Sequence, residues 1–399
     1  MTDSFNELIY ILSCFVNDRS IERFCKDDIN ELYLNSKRQG VWEMVYISLT
    51  SNNIVVPNAY KLDALHGIME NARQVESVGV CLKKLEREGI RYAVLKGCVL
   101  AQLYPNPDCR VSSDTDILID KKDFLKVSSI FRSNDFQVGK RIASSNQVLC
   151  KHKSGFRVEI HWKLYKDFDD SYIFMKKFNL IEPYRKISVG NKYEFYTLGI
   201  TDGFIYTLLH FIRHFLTCGA GIRQLMDILL YIQYYDDKLD WDRIDNILGE
   251  LNFTKFVNHL FRIASKYLLI ENKKSENDMY SDQLCLEFLD DIERGGLFGK
   301  DEKVRVNFVG LYREMLYSRK SLQEVQNYNY IYRKLFPRKD ALKVTFTYLE
   351  KYPLLIPIAW IQRLFLLVTN IKKEKLFITK EEQELLTKRL EFIKKLDMI

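Results

Sequence analysis

A chain of 399 residues is too long for one small domain and sets an expectation of two or three units. Its 47% hydrophobic and 28% charged residues are those of a soluble globular protein with ample material for a core. The formal charge of +7 comes from Lys and Arg scattered among nearly as many acids, so it argues weakly for phosphate-bearing ligands and hardly at all for duplex nucleic acid.

Eight cysteines, at 14, 25, 81, 98, 109, 150, 218 and 285, include no Cys-x-x-Cys pair. They read as reduced core thiols of a cytoplasmic protein, not as a zinc site or a disulfide framework. Asp3 and Glu7 stand where a signal peptide would need Lys or Arg, which argues against secretion.

Residues 1–62 read as helices. Leu8, Ile11, Leu12 and Phe15 fall on one face, as do Trp42, Val45, Tyr46 and Leu49, with a turn at Pro57-Asn58. Trp42 at helical spacing is core rather than a base-stacking platform. A further helix is expected over 64–88, with Val75, Val78, Leu82 and Leu85 buried and Gly89 at its end.

A strand over 90–95 then leads into Lys96 and Gly97, and a short helix over 98–104 ends at Pro105-Asn106-Pro107-Asp108. At Gly97 the missing side chain allows phosphate oxygens to approach the backbone N–H groups that start the helix. The next strand opens on Asp114 and Asp116, two residues apart, so both carboxylates point to one face. The apolar Ile117-Leu118-Ile119 behind them reads as buried, and carboxylates at the mouth of a buried strand are costly unless they hold a cation.

A helix from Asp120-Lys121 should carry Phe124, Leu125, Ser128 and Phe131 toward the core. Strands over 147–151 and 156–164 follow, joined at Ser154-Gly155. In the second, Glu159 and His161 share one face, and Val158, Ile160 and Trp162 the other. Glu159 is the third acid. Three carboxylates from two neighbouring strands beside a glycine turn suit metal-assisted phosphoryl or nucleotidyl transfer.

The segment 201–235 reads as helical and carries His210 and His214 at i and i+4. Without a Glu-flanked signature or further ligands, this pair reads as buried or substrate-contacting rather than as a zinc site. Arg223 and Asp227, also one turn apart, are spaced for an intrahelical ion pair. From 240 to 399 amphipathic helices continue without a second catalytic motif. The Tyr328-Asn329-Tyr330-Ile331-Tyr332 run reads as helical packing. Residues 353–371 are strongly apolar, but Pro357 and Gln362-Arg363 interrupt them, so a buried or interfacial helix is expected rather than a membrane span. Lys372, Lys373 and Lys375, with Lys394 and Lys395 downstream, read as a solvated face.

Leu95-Lys96-Gly97, Leu103-Tyr104-Pro105, Arg110, Asp114-Thr115-Asp116-Ile117-Leu118-Ile119 and Glu159-Ile160-His161-Trp162 together resemble the uncharacterised nucleotidyltransferase family of the DNA polymerase beta-like superfamily. His210-Phe211-Ile212-Arg213-His214 and Arg223-Gln224-Leu225-Met226-Asp227 are similar to a downstream helical motif of that family. The usual glycine-glycine or glycine-serine pair of the wider superfamily is replaced by Lys96-Gly97-Cys98. The resemblance implies that the helical face carrying the downstream motif closes over the active site.

Taken together, an α+β fold is expected, with a small mixed sheet at 85–165 as the nucleotidyltransferase core. Helical regions at 1–84, 166–270 and 271–399 should surround it. Asp114, Asp116 and Glu159 are the expected catalytic residues and ligands of Mg²⁺ or Mn²⁺. Lys96, Gly97 and Arg110 are expected at the nucleotide, and His161, His210, His214, Arg223 and Asp227 at the substrate. The expected reaction is nucleotidyl transfer from a nucleoside triphosphate to a hydroxyl of a small or peptide-sized acceptor, releasing pyrophosphate. A non-catalytic nucleotide-binding scaffold and a kinase moving the γ-phosphoryl group are the alternatives.

Overall fold

The computed structural model describes residues 1–24, 29–140, 146–165, 178–190, 192–217, 219–271, 281–298, 335–336, 339–369 and 380–398. Four helices open the chain: α1 (Asp3–Val16), α2 (Ile29–Gln39), α3 (Trp42–Ser51) and α4 (Asn58–Arg87). The Thr2 hydroxyl accepts the Phe5 N–H and so starts α1. Pro57 precedes α4, which therefore begins at Asn58, ahead of the expected 64. Trp42 is fully buried, edge-on to the stacked rings of Tyr33 and Tyr60, and donates its indole N–H to the Tyr60 carbonyl at 3.0 Å. That polar end is satisfied by backbone, so the residue is core as its spacing predicts.

A mixed seven-stranded sheet follows. Its first strands are β1 (Tyr92–Val94) and β2 (Asp114–Ile119), joined through the short helix α5 (Cys98–Ala101). After α6 (Phe124–Arg132) come β3 (Phe136–Val138), β4 (Gln147–His152) and β5 (Arg157–His161). The last two strands, β6 (Arg185–Val189) and β7 (Tyr193–Thr197), lie beyond the 85–165 segment where strands were expected. The spatial order is β3-β4-β5-β2-β1-β7-β6. β2 pairs parallel with β5 and antiparallel with β1, while β7 adds to the far side of β1 in parallel. The fold is α+β.

The two faces of this sheet bury different cores. One face, with Tyr92, Val94, Ile117, Ile119, Val158 and Ile160, packs under α4 and α6. Phe124, Val127 and Phe131 turn inward from α6 at i, i+3 and i+7. Leu125, expected in that stripe, is instead 76% exposed, because the helix begins at Phe124 and its phase is set by that ring. The other face carries Ala93, Leu95 and Leu118 toward α7 (Ile200–Thr217) and α8 (Ile222–Tyr235). These two helices were expected as one segment, and Gly219-Ala220-Gly221 separates them.

The helices α9 (Trp241–Leu251), α10 (Thr254–Tyr267) and α11 (Asp282–Gly295) extend the second core. After α12 (Lys339–Thr345) and α13 (Ile356–Thr369), α14 (Lys380–Lys395) returns to it. There Arg389 donates to Asp291 at 3.1 Å and to the Phe215 carbonyl. α13 is not fully buried, since Ile361 and Phe365 are 67% and 69% exposed. Among the described residues, no helix is long and apolar enough to cross a membrane. Cys14, Cys81, Cys98, Cys109, Cys150 and Cys285 are buried and free. Cys25, Cys218, Tyr328, Tyr330, Tyr332, Lys372, Lys373 and Lys375 lie outside the described residues.

α4 lies against the sheet where Gly79 faces Tyr193 of β7. A Cβ there would stand 2.6 Å from the ring, closer than two carbons can approach. Gly79→Ala should therefore lose about 1–3 kcal/mol in urea denaturation, although alanine is the better helix former by about 1 kcal/mol. Stability equal to the parent would mean that the ring moves aside freely.

Candidate active site

The parallel register of β2 and β5 sets the site. Asp116 lies beside Glu159, Asp114 beside Arg157 and Leu118 beside His161. Because side chains alternate along each strand, Asp114 and Asp116 share a face with Glu159 and His161, while Thr115, Ile117, Val158 and Ile160 point into the α4 side. On the next strand Gln147 sits opposite His161 and donates its amide to Glu159 Oε2 at 2.6 Å. The Gln147 contact was not anticipated, yet the antiparallel hairpin around Ser154-Gly155 already implies it.

The β1–α5 turn closes the inner side. Gly97 has φ +59° and ψ −116°, a region that a residue with a Cβ enters only under strain. This sharp reversal projects Lys96 over the sheet face, where its Nζ lies 2.9 Å from Asp116 Oδ2 and 3.0 Å from His210 Nε2. Tyr206, one turn before His210, places its ring 5.7 Å from the same ammonium. The stripe Tyr206-His210-His214 at helical spacing was the signal for that tyrosine.

These contacts crowd negative charge and answer it. Burial would raise the Asp116 carboxyl, but Lys96 and His161 beside it hold it well below the usual carboxylate range. Asp114 goes the other way, raised by burial and by the Asp116 charge. Burial disfavours a charged His161, yet its Nε2 lies 3.1 Å from Asp116 Oδ1 and 3.4 Å from Glu159 Oε2, and these bonds raise its pKa above the ordinary value. His210 and His214 are held well below the ordinary histidine value, His210 by burial and Lys96, His214 by burial and Arg213. Both are therefore neutral near pH 7. Since the Lys96 ammonium can only donate, His210 Nε2 accepts from it, and His214 Nε2 lies 2.8 Å from the same atom and 3.3 Å from Arg213 Nη2.

Asp116, Glu159 and His161 each bring one ligand atom, all within 4.8 Å of one another. The expected trio was Asp114, Asp116 and Glu159. Asp114 lines the same cavity but stands outside this group, because the register sets it beside Arg157 at the start of the strand. His210 and His214 belong to no group of three ligands among the described residues.

The far wall comes from α7 and α8. Arg110 and Asp227 form a bidentate buried pair at 2.7 and 2.6 Å, the Arg110 Nη1 donates to the Gly97 carbonyl at 3.2 Å, and the Tyr104 hydroxyl donates to Asp227 at 2.8 Å. Arg110, expected at the nucleotide, lines the cavity and places each of its three nitrogens on a protein partner, bracing the Gly97 turn. One expectation changes here. Asp227 pairs with Arg110 rather than with Arg223, because the strand-side guanidinium reaches both its oxygens while Arg223 turns to the Val111 carbonyl. The cavity measures about 320 Å³ and is lined by Lys96, Asp114, Asp116, Glu159, His161, His210, His214 and Arg223, among others.

A family model described as "Uncharacterised nucleotidyltransferase" matches residues 26–268, and no curated protein matches the chain. Among solved structures, an antigenic nucleotidyltransferase-like protein from Paracoccidioides brasiliensis is 14% identical. That match covers 49% of this chain and 93% of that one, at a TM-score of 0.28.

The Arg110–Asp227 pair is 4% and 5% exposed, so removing one partner strands a charge in a dry site. Asp227→Ala is expected to cost about 3–5 kcal/mol, measured by urea denaturation. A loss under about 1 kcal/mol, as for a surface pair, would contradict its place as the brace of the wall.

Proposed function

From the premise that this chain belongs to the uncharacterised nucleotidyltransferase family, we propose that it transfers a nucleotidyl group from a nucleoside triphosphate to a hydroxyl of a small or peptide-sized acceptor and releases pyrophosphate. The observation that carries this reading is the in-register pairing of Asp116 with Glu159, with Asp114 two residues before, inside a cavity that also holds Lys96. Carboxylate oxygens on adjacent strands are the donors a hard divalent cation prefers, and the Lys96 ammonium already resting on Asp116 marks a place that favours positive charge.

Asp114, Asp116 and Glu159 would hold Mg²⁺ or Mn²⁺, with the His161 nitrogen beside them. When bound, such an ion supplies Lewis-acid stabilisation to a phosphoryl centre. The chain's own groups do the remainder. Lys96 gives a point charge for phosphate oxygens, and Gly97 leaves the turn open to their approach. Glu159, hydrogen-bonded by Gln147, would help activate the acceptor hydroxyl through metal coordination or as a general base. His161 and Lys96 limit the repulsion among the acids before substrate arrives.

The size of the site favours a small acceptor. A cavity of about 320 Å³ between the sheet and α7–α8 suits a compact group, whereas a polymer needs a long, continuously basic groove.

Asp116→Asn should lower transfer of an α-labelled nucleotidyl group by about 10³-fold or more, in a variant that is still folded by circular dichroism at the assay temperature. Chelation by EDTA should abolish transfer, and Mg²⁺ or Mn²⁺ should restore it. Full turnover in the variant or in chelator would sink the metal reading. A nucleoside diphosphate product in place of pyrophosphate would reassign the enzyme to phosphoryl transfer.

A further inference from the structure

Arg223 in the cavity wall forms no ion pair with a described residue. Arg110 and Arg223 are both buried near Asp227, and Arg110 takes both carboxylate oxygens. Arg223 is 8% exposed and donates through Nη1 to the Val111 carbonyl. Its Nε is buried without a partner. Burial and the repulsion of Arg110 push its pKa below the ordinary guanidinium value, with Asp227, Tyr104 and Asp114 acting against them.

Its position adds a second feature. Arg223 is the second residue of the 14-residue helix α8, whose first turn, with Gln224, lines the active cavity. The N-terminal end of a helix carries partial positive charge, so guanidinium and helix dipole act in the same direction. With Nη1 committed to Val111, the Nε side of the fork remains, and that edge matches two oxygens of a phosphate group. A buried guanidinium without an anion is costly, and a ligand anion removes that cost.

We propose that Arg223, at the start of α8, forms an oxyanion subsite in the active cavity, one that takes a phosphate group of a substrate in addition to the phosphates at the carboxylate centre. The identification of that ligand as a substrate group rests on the nucleotidyl-transfer reading. The anion site itself rests on Arg223 and α8 alone. Two sources share the chemistry: the terminal phosphates of the nucleoside triphosphate, or a phosphate carried by the acceptor.

Titration calorimetry of inorganic pyrophosphate into the full chain in EDTA tests the subsite without any turnover. Wild type should bind, and Arg223→Gln should bind about tenfold more weakly or worse, the worth of one charge-assisted hydrogen bond. Undetectable binding to wild type, or equal affinity in the variant, would overturn the proposal. If Arg223→Gln melts early, Arg223→Lys carries the test. It keeps the charge but loses the fork, so it should weaken pyrophosphate several-fold, and equal affinity would again refute the subsite. If the variant also loses affinity for the nucleoside triphosphate but not the monophosphate, the group belongs to the donor. Unchanged triphosphate affinity beside lost pyrophosphate binding assigns it to the acceptor. Pyrophosphate binding with no nucleotidyl transfer by wild type would leave the subsite standing and remove only the transfer reading.

Discussion

Carboxylates brought together on one sheet face repel, and everything around the cavity follows from how that repulsion is answered. Asp116 is flanked on one oxygen by Lys96 and on the other by His161, while Asp114 behind them is pushed toward protonation. The turn at Gly97 exists in this light as the device that aims Lys96 at Asp116. A residue with a side chain at φ +59° would relax the turn and withdraw the lysine.

The helical wall solves a related problem at the opposite end. Arg110, rooted just before β2, clamps Asp227 of α8 and the Gly97 carbonyl at once, and Tyr104 joins the same carboxylate. One buried pair thus fixes both the Gly97 turn and the helix that carries Arg223. Neutral His210 and His214 line the intervening wall without adding to the cationic charge already supplied by Lys96 and Arg223. The cavity is therefore divided between an acidic sheet and a basic helix end, a polarity suited to a substrate with metal-binding and anionic parts.

Much of this site was legible beforehand, for local reasons. The spacing of Asp114 and Asp116, and of Glu159 and His161, assigned each pair to one face because a strand repeats every two residues. The apolar run Ile117-Leu118-Ile119 marked the buried strand behind the acids, and helical spacing placed Trp42 in a core. Leu125 was misplaced because an amphipathic stripe depends on where the helix starts, and a 3₁₀ turn at Lys121–Asp123 delays α6 to Phe124.

The sequence by itself determined which side chains could act together within an element: the acids at one strand mouth, the histidines along one helical face, the glycine at the sharp turn. These are consequences of backbone period and steric freedom, both local. Only the tertiary structure decided what those elements meet. It set β2 parallel to β5 in the register that joins Asp116 to Glu159, and it recruited β6 and β7 from beyond the expected core. It gave Asp227 to Arg110, 117 residues away, instead of Arg223, four residues away. Such choices turn on which surfaces bury most area and which charges lose their water together, and neither quantity exists until distant segments pack.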